Sequence, residues 1–238
     1  MYLQIYGIYH TYYEMKKMKP KFVFLRAALA KHSYKGKDAE DGENNGLTFS
    51  ELKSLIQASE AEILNKLNEL HTVKIKGKWR LLDVGLLYRW ITNLDGILRE
   101  KDLQVENISS QDVANWLQDF EVEEVNKACI NIFLEDKGDF CLWKQTTVSQ
   151  LFALYLLPVL KAIDSNDFFL TWQQSMPTGV IVHEDHLHGI ALVDQESTPS
   201  LVRYLPEFEL PEDINERLEI LFRTRAKWTL PDITPYIQ

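Results

Sequence analysis

Three histidines crowd one short stretch of this sequence, His183-Glu-Asp-His186-Leu-His188. Histidines at i and i+3 on a helix can face a common ligand, and the intervening acids could help hold zinc. No fourth ligand stands at a convincing spacing, and a His-Glu-x-x-His protease motif needs its second histidine one position later than His186. A solvated helix start or loop is the better reading. Nucleophilic chemistry finds no footing either: there is no Gly-x-Ser-x-Gly elbow and no glycine loop of the phosphate-cradling types. Cys129 falls on an apolar stripe with Val122, Val125, Ile132 and Phe133, which predicts core packing rather than reactivity. Glu121, Glu123 and Glu124 read as complements to the positive start of a helix, not as paired catalytic carboxylates. No residue is therefore assigned to catalysis, to a cofactor or to a metal, and the chain is expected not to be an enzyme.

Binding chemistry is better represented. Lys74, Lys76, Lys78 and Arg80 alternate with Val73, Ile75, Trp79 and Leu81, so a hairpin here is expected to show one cationic and one buried face. Lys74, Lys76, Lys78, Trp79 and Arg80 are the candidate contacts to backbone phosphate or to a protein partner, and an ordinary solvated wing remains an equal alternative. The preceding helix carries Glu60, Glu62 and Glu69 against Lys66 alone, which argues against base readout in a major groove. Lys16, Lys17, Lys19 and Lys21 form a short basic cluster that suits a nuclear import signal or, equally, a charged junction between domains.

The elements that would position these groups follow a repeating plan. Thr48 with Glu51 and Ser59 with Glu62 match the capping box that opens helices. Behind them, Phe49, Leu52, Leu55 and Ile56, and then Ile63, Leu64, Leu67 and Leu70, form helical faces. The period then changes to two over residues 71–82, giving the helix–helix–hairpin order of a winged helix. Helices at about 86–101, 110–119 and 121–134 precede a second hairpin at 136–144, and both hairpins pair a Lys-Gly turn with a returning tryptophan. A third, looser copy places helices at about 147–162 and 166–175 before strands near 189–193 and 201–205. An amphipathic helix at about 213–226 follows, with Ile214, Leu218, Leu221 and Phe222 inward.

The expected fold class is mainly α with small β-hairpins, arranged as tandem winged-helix-like units. Residues 1–19 read as the remnant of, or junction with, a preceding domain. Unit 1 spans 20–83 and contains a polar linker at 33–47; unit 2 spans 84–145, unit 3 spans 146–211, and a further unit begins at 212–238. The chain reads as cut short at both ends.

Composition narrows the partners. The 238 residues are 45% hydrophobic, as in ordinary globular proteins, and carry a formal net charge of −9. Residues 1–37 hold eight Lys/Arg against the single acid Glu14, which leaves 18 basic and 34 acidic side chains beyond them. So acidic a body favours protein partners and confines DNA contact to weak, local patches. Two cysteines make no disulfide framework, the longest apolar run (151–160) is half a bilayer span, and no membrane partner is expected.

Specific words appear toward the C-terminal end: Trp172-Gln-Gln-Ser-Met-Pro177, Leu187-His-Gly-Ile-Ala-Leu-Val-Asp194, Leu210-Pro-Glu-Asp213, Glu216-Arg-Leu218, Leu221-Phe222, and Lys227-Trp228 leading to Asp232-Ile-Thr-Pro-Tyr-Ile-Gln238. Upstream stand Ile56-Gln-Ala-Ser-Glu60, the run from Lys74 to Asp83, and the run from Gly7 to Pro20. In this order they resemble the sister chromatid cohesion family called "defective in sister chromatid cohesion", a subunit of the alternative, cohesion-linked replication factor C clamp loader. The resemblance implies a non-catalytic nuclear subunit in DNA replication. Its partners would be the large ATPase subunit and the small subunit of that loader, reached through an N-terminal barrel, together with the leading-strand DNA polymerase and, weakly, DNA. It also implies that the barrel is missing here apart from residues 2–9 and that the last winged-helix unit stops short. A free winged-helix DNA-binding regulator is the alternative from another class, and a metal hydrolase on His183, His186 and His188 is a third.

Overall fold

The computed structural model describes residues 20–39, 45–195 and 197–237. The segment 1–19, with Lys16, Lys17 and Lys19, lies outside the described residues, and Lys21 is exposed just before the first helix. Among the described residues the fold is mainly α with short antiparallel strand pairs, as the sequence predicts.

Helix α1 (Val23–Ala30) turns Leu25 and Leu29 inward, against Leu52 of α2 (Phe49–Leu55) and Ile63 and Leu67 of α3 (Glu60–Glu69). Both predicted capping boxes are formed: Thr48 and Ser59 accept from the backbone N–H three residues on, and Glu51 and Glu62 accept from the cap N–H in return. The apolar faces are narrower than the sequence pattern implies, since Leu55 and Leu64 are exposed. Strands β1 (Thr72–Ile75) and β2 (Lys78–Leu81) form the first hairpin, joined by Lys76-Gly77. Both turn residues have positive φ, +48° and +85°, the conformation of a two-residue type I′ turn.

The second region begins at α4 (Val84–Glu100), continues through α5 (Ser110–Trp116) and α6 (Glu123–Phe133), and reaches the second hairpin, β3 (Leu134–Asp136) with β4 (Cys141–Trp143). Helix α7 (Gln145–Leu160) is apolar nearly all round, which suits a helix packed between neighbours rather than at the surface. It ends not at Pro158 but at Lys161, whose φ of +58° turns the chain into β5 (Ala162–Asp164). That strand, read from the sequence as the helix's tail, joins a three-stranded antiparallel sheet of order β5–β7–β6 with β6 (Ala191–Asp194) and β7 (Leu201–Tyr204). Helix α8 (Ser165–Ser175) packs Phe168 and Trp172 beneath it.

One core runs from Tyr34 and Val73 through α4, α6, α7 and α8 to Val202, without a break at position 145. Its buried polar groups are satisfied: Trp90 Nε1 donates to Asn126 Oδ1 at 3.0 Å, and the Asn126 amide donates to the Leu117 and Glu121 carbonyls at 2.7 and 2.9 Å. A third, small core gathers Leu210, Leu221 of α9 (Ile214–Thr224) and Tyr236 of α10 (Leu230–Ile237). Arg217 ties it together by donating to the carbonyls of Pro211, Tyr236 and Leu210. On α9 Leu221 is fully buried and Leu218 and Ile220 are partly so; Ile214 and Phe222, expected inward, are exposed. Among the described residues, no helix is long and apolar enough to cross a membrane.

Candidate binding surface around the first hairpin

The expected cationic face of the first hairpin does not form. Directly paired residues in an antiparallel ladder share a face. The register pairs Val73 with Arg80, Lys74 with Trp79 and Ile75 with Lys78. One face therefore carries Val73, Ile75, Lys78 and Arg80, and the other Thr72, Lys74, Trp79 and Leu81. Alternation within each strand is real, but the two-residue turn places the apolar positions of β1 and β2 on opposite sides. Val73 and Ile75 pack on the large core, whereas Trp79 and Leu81 pack on the first. The hairpin is a shared wall between two cores rather than a free wing.

Each candidate contact changes meaning accordingly. Arg80 is only 4% exposed; its Nε and Nη2 donate to the carbonyls of His32 and Ser33, both at 3.1 Å, and its guanidinium stacks on Tyr34. It is an internal strut. Trp79 is half-buried in the first core and exchanges backbone hydrogen bonds with Leu47. Lys78 is half-buried. Lys74 and Lys76 are the exposed cations of the five, with Lys76 at the turn.

The described parts of the segment 33–47, residues 33–39 and 45–47, also depart from the reading as a free linker. Tyr34 is buried, donates from its backbone N–H to the Leu81 carbonyl, and accepts through its own carbonyl from Asp83. Its hydroxyl donates to Glu121 Oε2 at 2.7 Å, and the Lys37 N–H donates to the same carboxylate. Glu121, which composition suggests as a helix-start acid, is thus a buried acceptor that pins the segment to the turn before α6. Gly36 is required there: at φ +119°, an added Cβ would stand 2.8 Å from Glu121 Oε1. A buried aromatic inside a polar run was the one available signal for this node.

Local hydrogen bonds favour the charged form of two acids on the helix before the hairpin, Glu60 and Glu62. The hydrogen bond from Lys53 holds Glu60 below the usual carboxylate range, and the Ser59 cap does the same for Glu62. Lys66 pairs with Glu69 at 2.8 Å. That surface repels a phosphate backbone.

Elsewhere the reactive residue types are occupied. His183, His186 and His188 lie on and beside a short 3₁₀ turn (Glu184–Leu187), where the His183 N–H donates to His186 Nδ1 at 3.4 Å and the two rings meet edge to face. Among the described residues, no group of three His, Cys, Asp or Glu side chains is placed to hold a metal ion. Cys129 and Cys141 are buried, and burial pushes both thiols up, away from the nucleophilic thiolate.

Comparison with known proteins finds relatives along nearly the whole chain. The family model for sister chromatid cohesion protein Dcc1 matches residues 1–237. The chain is 32% identical to sister chromatid cohesion protein DCC1 of Xenopus laevis and 31% identical to that of Homo sapiens, covering 99% of itself and 62% of each relative's length. A probable sister chromatid cohesion protein DCC1 of Dictyostelium discoideum is 24% identical across 97% of the chain. The chain thus spans a little under two thirds of the two vertebrate relatives' length. On the match across its whole length, it belongs to the sister chromatid cohesion protein Dcc1 family.

Proposed function

We propose that the chain is a non-catalytic scaffold of sister chromatid cohesion, acting in the nucleus as a subunit of the alternative clamp loader and tethering it to the replicative polymerase. The observation that carries this reading is the family match over residues 1–237. The fold supports it physically: helical layers share continuous cores, and the acidic body favours protein surfaces over extended phosphate tracks. In this reading ATP hydrolysis belongs to the large ATPase subunit, and this chain contributes linkage. A weak contact at one end becomes effective when the other end is already anchored, because the second encounter is then intramolecular.

Affinity purification of the intact protein from nuclear extract tests the reading. Clamp-loader subunits and the leading-strand polymerase should be recovered together; their consistent absence rejects it. A free DNA-binding regulator is favoured only by the exposed Lys74 and Lys76. It requires salt-dependent duplex binding by the chain alone, abolished by Lys74→Glu with Lys76→Glu.

A further inference from the structure

A cleft of about 450 Å³ opens where the end of α3 and the start of β1 meet α6 and the start of α7. Asn68, His71, Thr72, Asn131, Lys144 and Thr147 line it, with two smaller contributions from the apolar side of α6. Among the described residues no carboxylate does, although acids outnumber bases in the chain by 35 to 26. An acid-free wall is thus a local exception to the overall charge.

The lining is rich in unused donors. Lys144 Nζ donates to the Asn131 carbonyl, which fixes the ammonium beside the cleft and leaves it further protons to give. The side chains of Asn68, His71, Asn131 and Thr147 have no hydrogen-bond partner among the described residues. Thr72 is excluded from the set, since its hydroxyl donates to the Leu67 carbonyl. Burial, with Arg26 and Lys144 adding to it, pushes the His71 imidazole below its usual pKa, so at neutral pH the ring contributes an N–H without a charge.

We propose that this cleft binds a single phosphate monoester carried by a phosphorylated serine or threonine of a protein partner. One fixed cation surrounded by two amides, an imidazole and a hydroxyl matches the acceptor oxygens of one tetrahedral group. A nucleic-acid backbone needs a track of cations. The exposed Lys74, about 7 Å along the strand from Thr72 on the same face, and Lys76 further on, at ~3.3 Å per residue, are both outside the lining of the cleft and supply no second site within it. The inference rests on the cleft alone and stands or falls separately from the scaffold reading.

The test is a set of NMR titrations of the ¹⁵N-labelled chain with a degenerate phosphoserine and phosphothreonine peptide library, its unphosphorylated twin, inorganic phosphate and a short DNA duplex. Shifts should gather at residues 68–72, 131 and 144–147, with the phosphorylated library binding at least about tenfold better than its twin. Lys144→Gln should weaken that binding roughly tenfold, Lys144→Arg should keep most of it, and His71→Gln guards against a Lys144 effect on folding. Absence of saturable shifts in the cleft, or unchanged binding by Lys144→Gln, overturns the proposal. So does duplex DNA that outcompetes the phosphorylated library there, or phosphate that binds as well alone as on a peptide.

Discussion

The two hairpins share a lysine-glycine turn and a returning tryptophan, yet they are built to different ends. In the second, Leu134 pairs with Trp143 and Asp136 with Cys141, so Leu134, Cys141 and Trp143 lie on one face and are buried together. Its tip, residues 135–140, is exposed. The first hairpin spreads its apolar residues over both faces and is covered on both. The difference lies in parity. In either ladder an odd-numbered residue pairs with an even one. The apolar positions of the first hairpin are odd on both strands and so diverge; Leu134 is even while Cys141 and Trp143 are odd, and they converge. Composition and period look alike; register decides which hairpin is a wing and which is a wall.

Tryptophan truncation separates the two most sharply. Trp143→Ala, at a residue 5% exposed, should cost about 3–5 kcal/mol, whereas half-buried Trp79 should cost roughly half as much; denaturant titration reads both. Removing the strut comes next. Arg80→Ala leaves two carbonyls without their charged donor and should lose about 1.5–3 kcal/mol, and Arg80→Lys should recover little because an ammonium cannot span both. If Arg80→Ala is neutral, the first hairpin is a wing after all. Gly77→Ala and Gly138→Ala probe what the hairpins have in common: at φ +85° and +88°, each should lose about 1–2 kcal/mol from backbone strain alone, since both Cβ positions are open.

A pH titration isolates the wall side. Burial lowers the pKa of His71 from the ordinary 6.5, and burial with His183 nearby does the same for His186. The unfolded chain then takes up protons before the folded one. Stability should be level above the unfolded value and fall as pH drops below 6.5 toward the folded values. His71→Gln should flatten part of that slope, and a slope unchanged in His71→Gln places the effect elsewhere. The smallest effect belongs to the exposed tip: Lys76→Ala should shift stability by no more than about 0.5 kcal/mol in either direction.

Much of the fold is legible in the sequence because its signals are local. The capping boxes at Thr48 and Ser59, the amphipathic stripe through Val125, Cys129 and Phe133, and the Lys76-Gly77 turn each lie within a few residues. What is not legible is set by distant partners. Strand β5 exists only through pairing with Leu201–Arg203, and the Tyr34–Glu121 bond joins positions 87 apart. For the candidate surface, residue types identified a cationic hairpin, but facing depends on ladder register and on a second body covering the other side. Arg80, expected on the cationic face, belongs to the interior, and Trp79, expected on the buried face, is covered by the opposite core from Val73. The acid-free cleft around His71 and Lys144 draws on four separated elements, so no spacing rule exposes it.

The wall-like first hairpin also fixes how the two cores are joined. With Val73 packed on the large core, Trp79 on the first and Arg80 bolted to the turn after α1, the hairpin joins the two cores by direct packing on both of its faces. The chain behaves there as a bracket, not a leash.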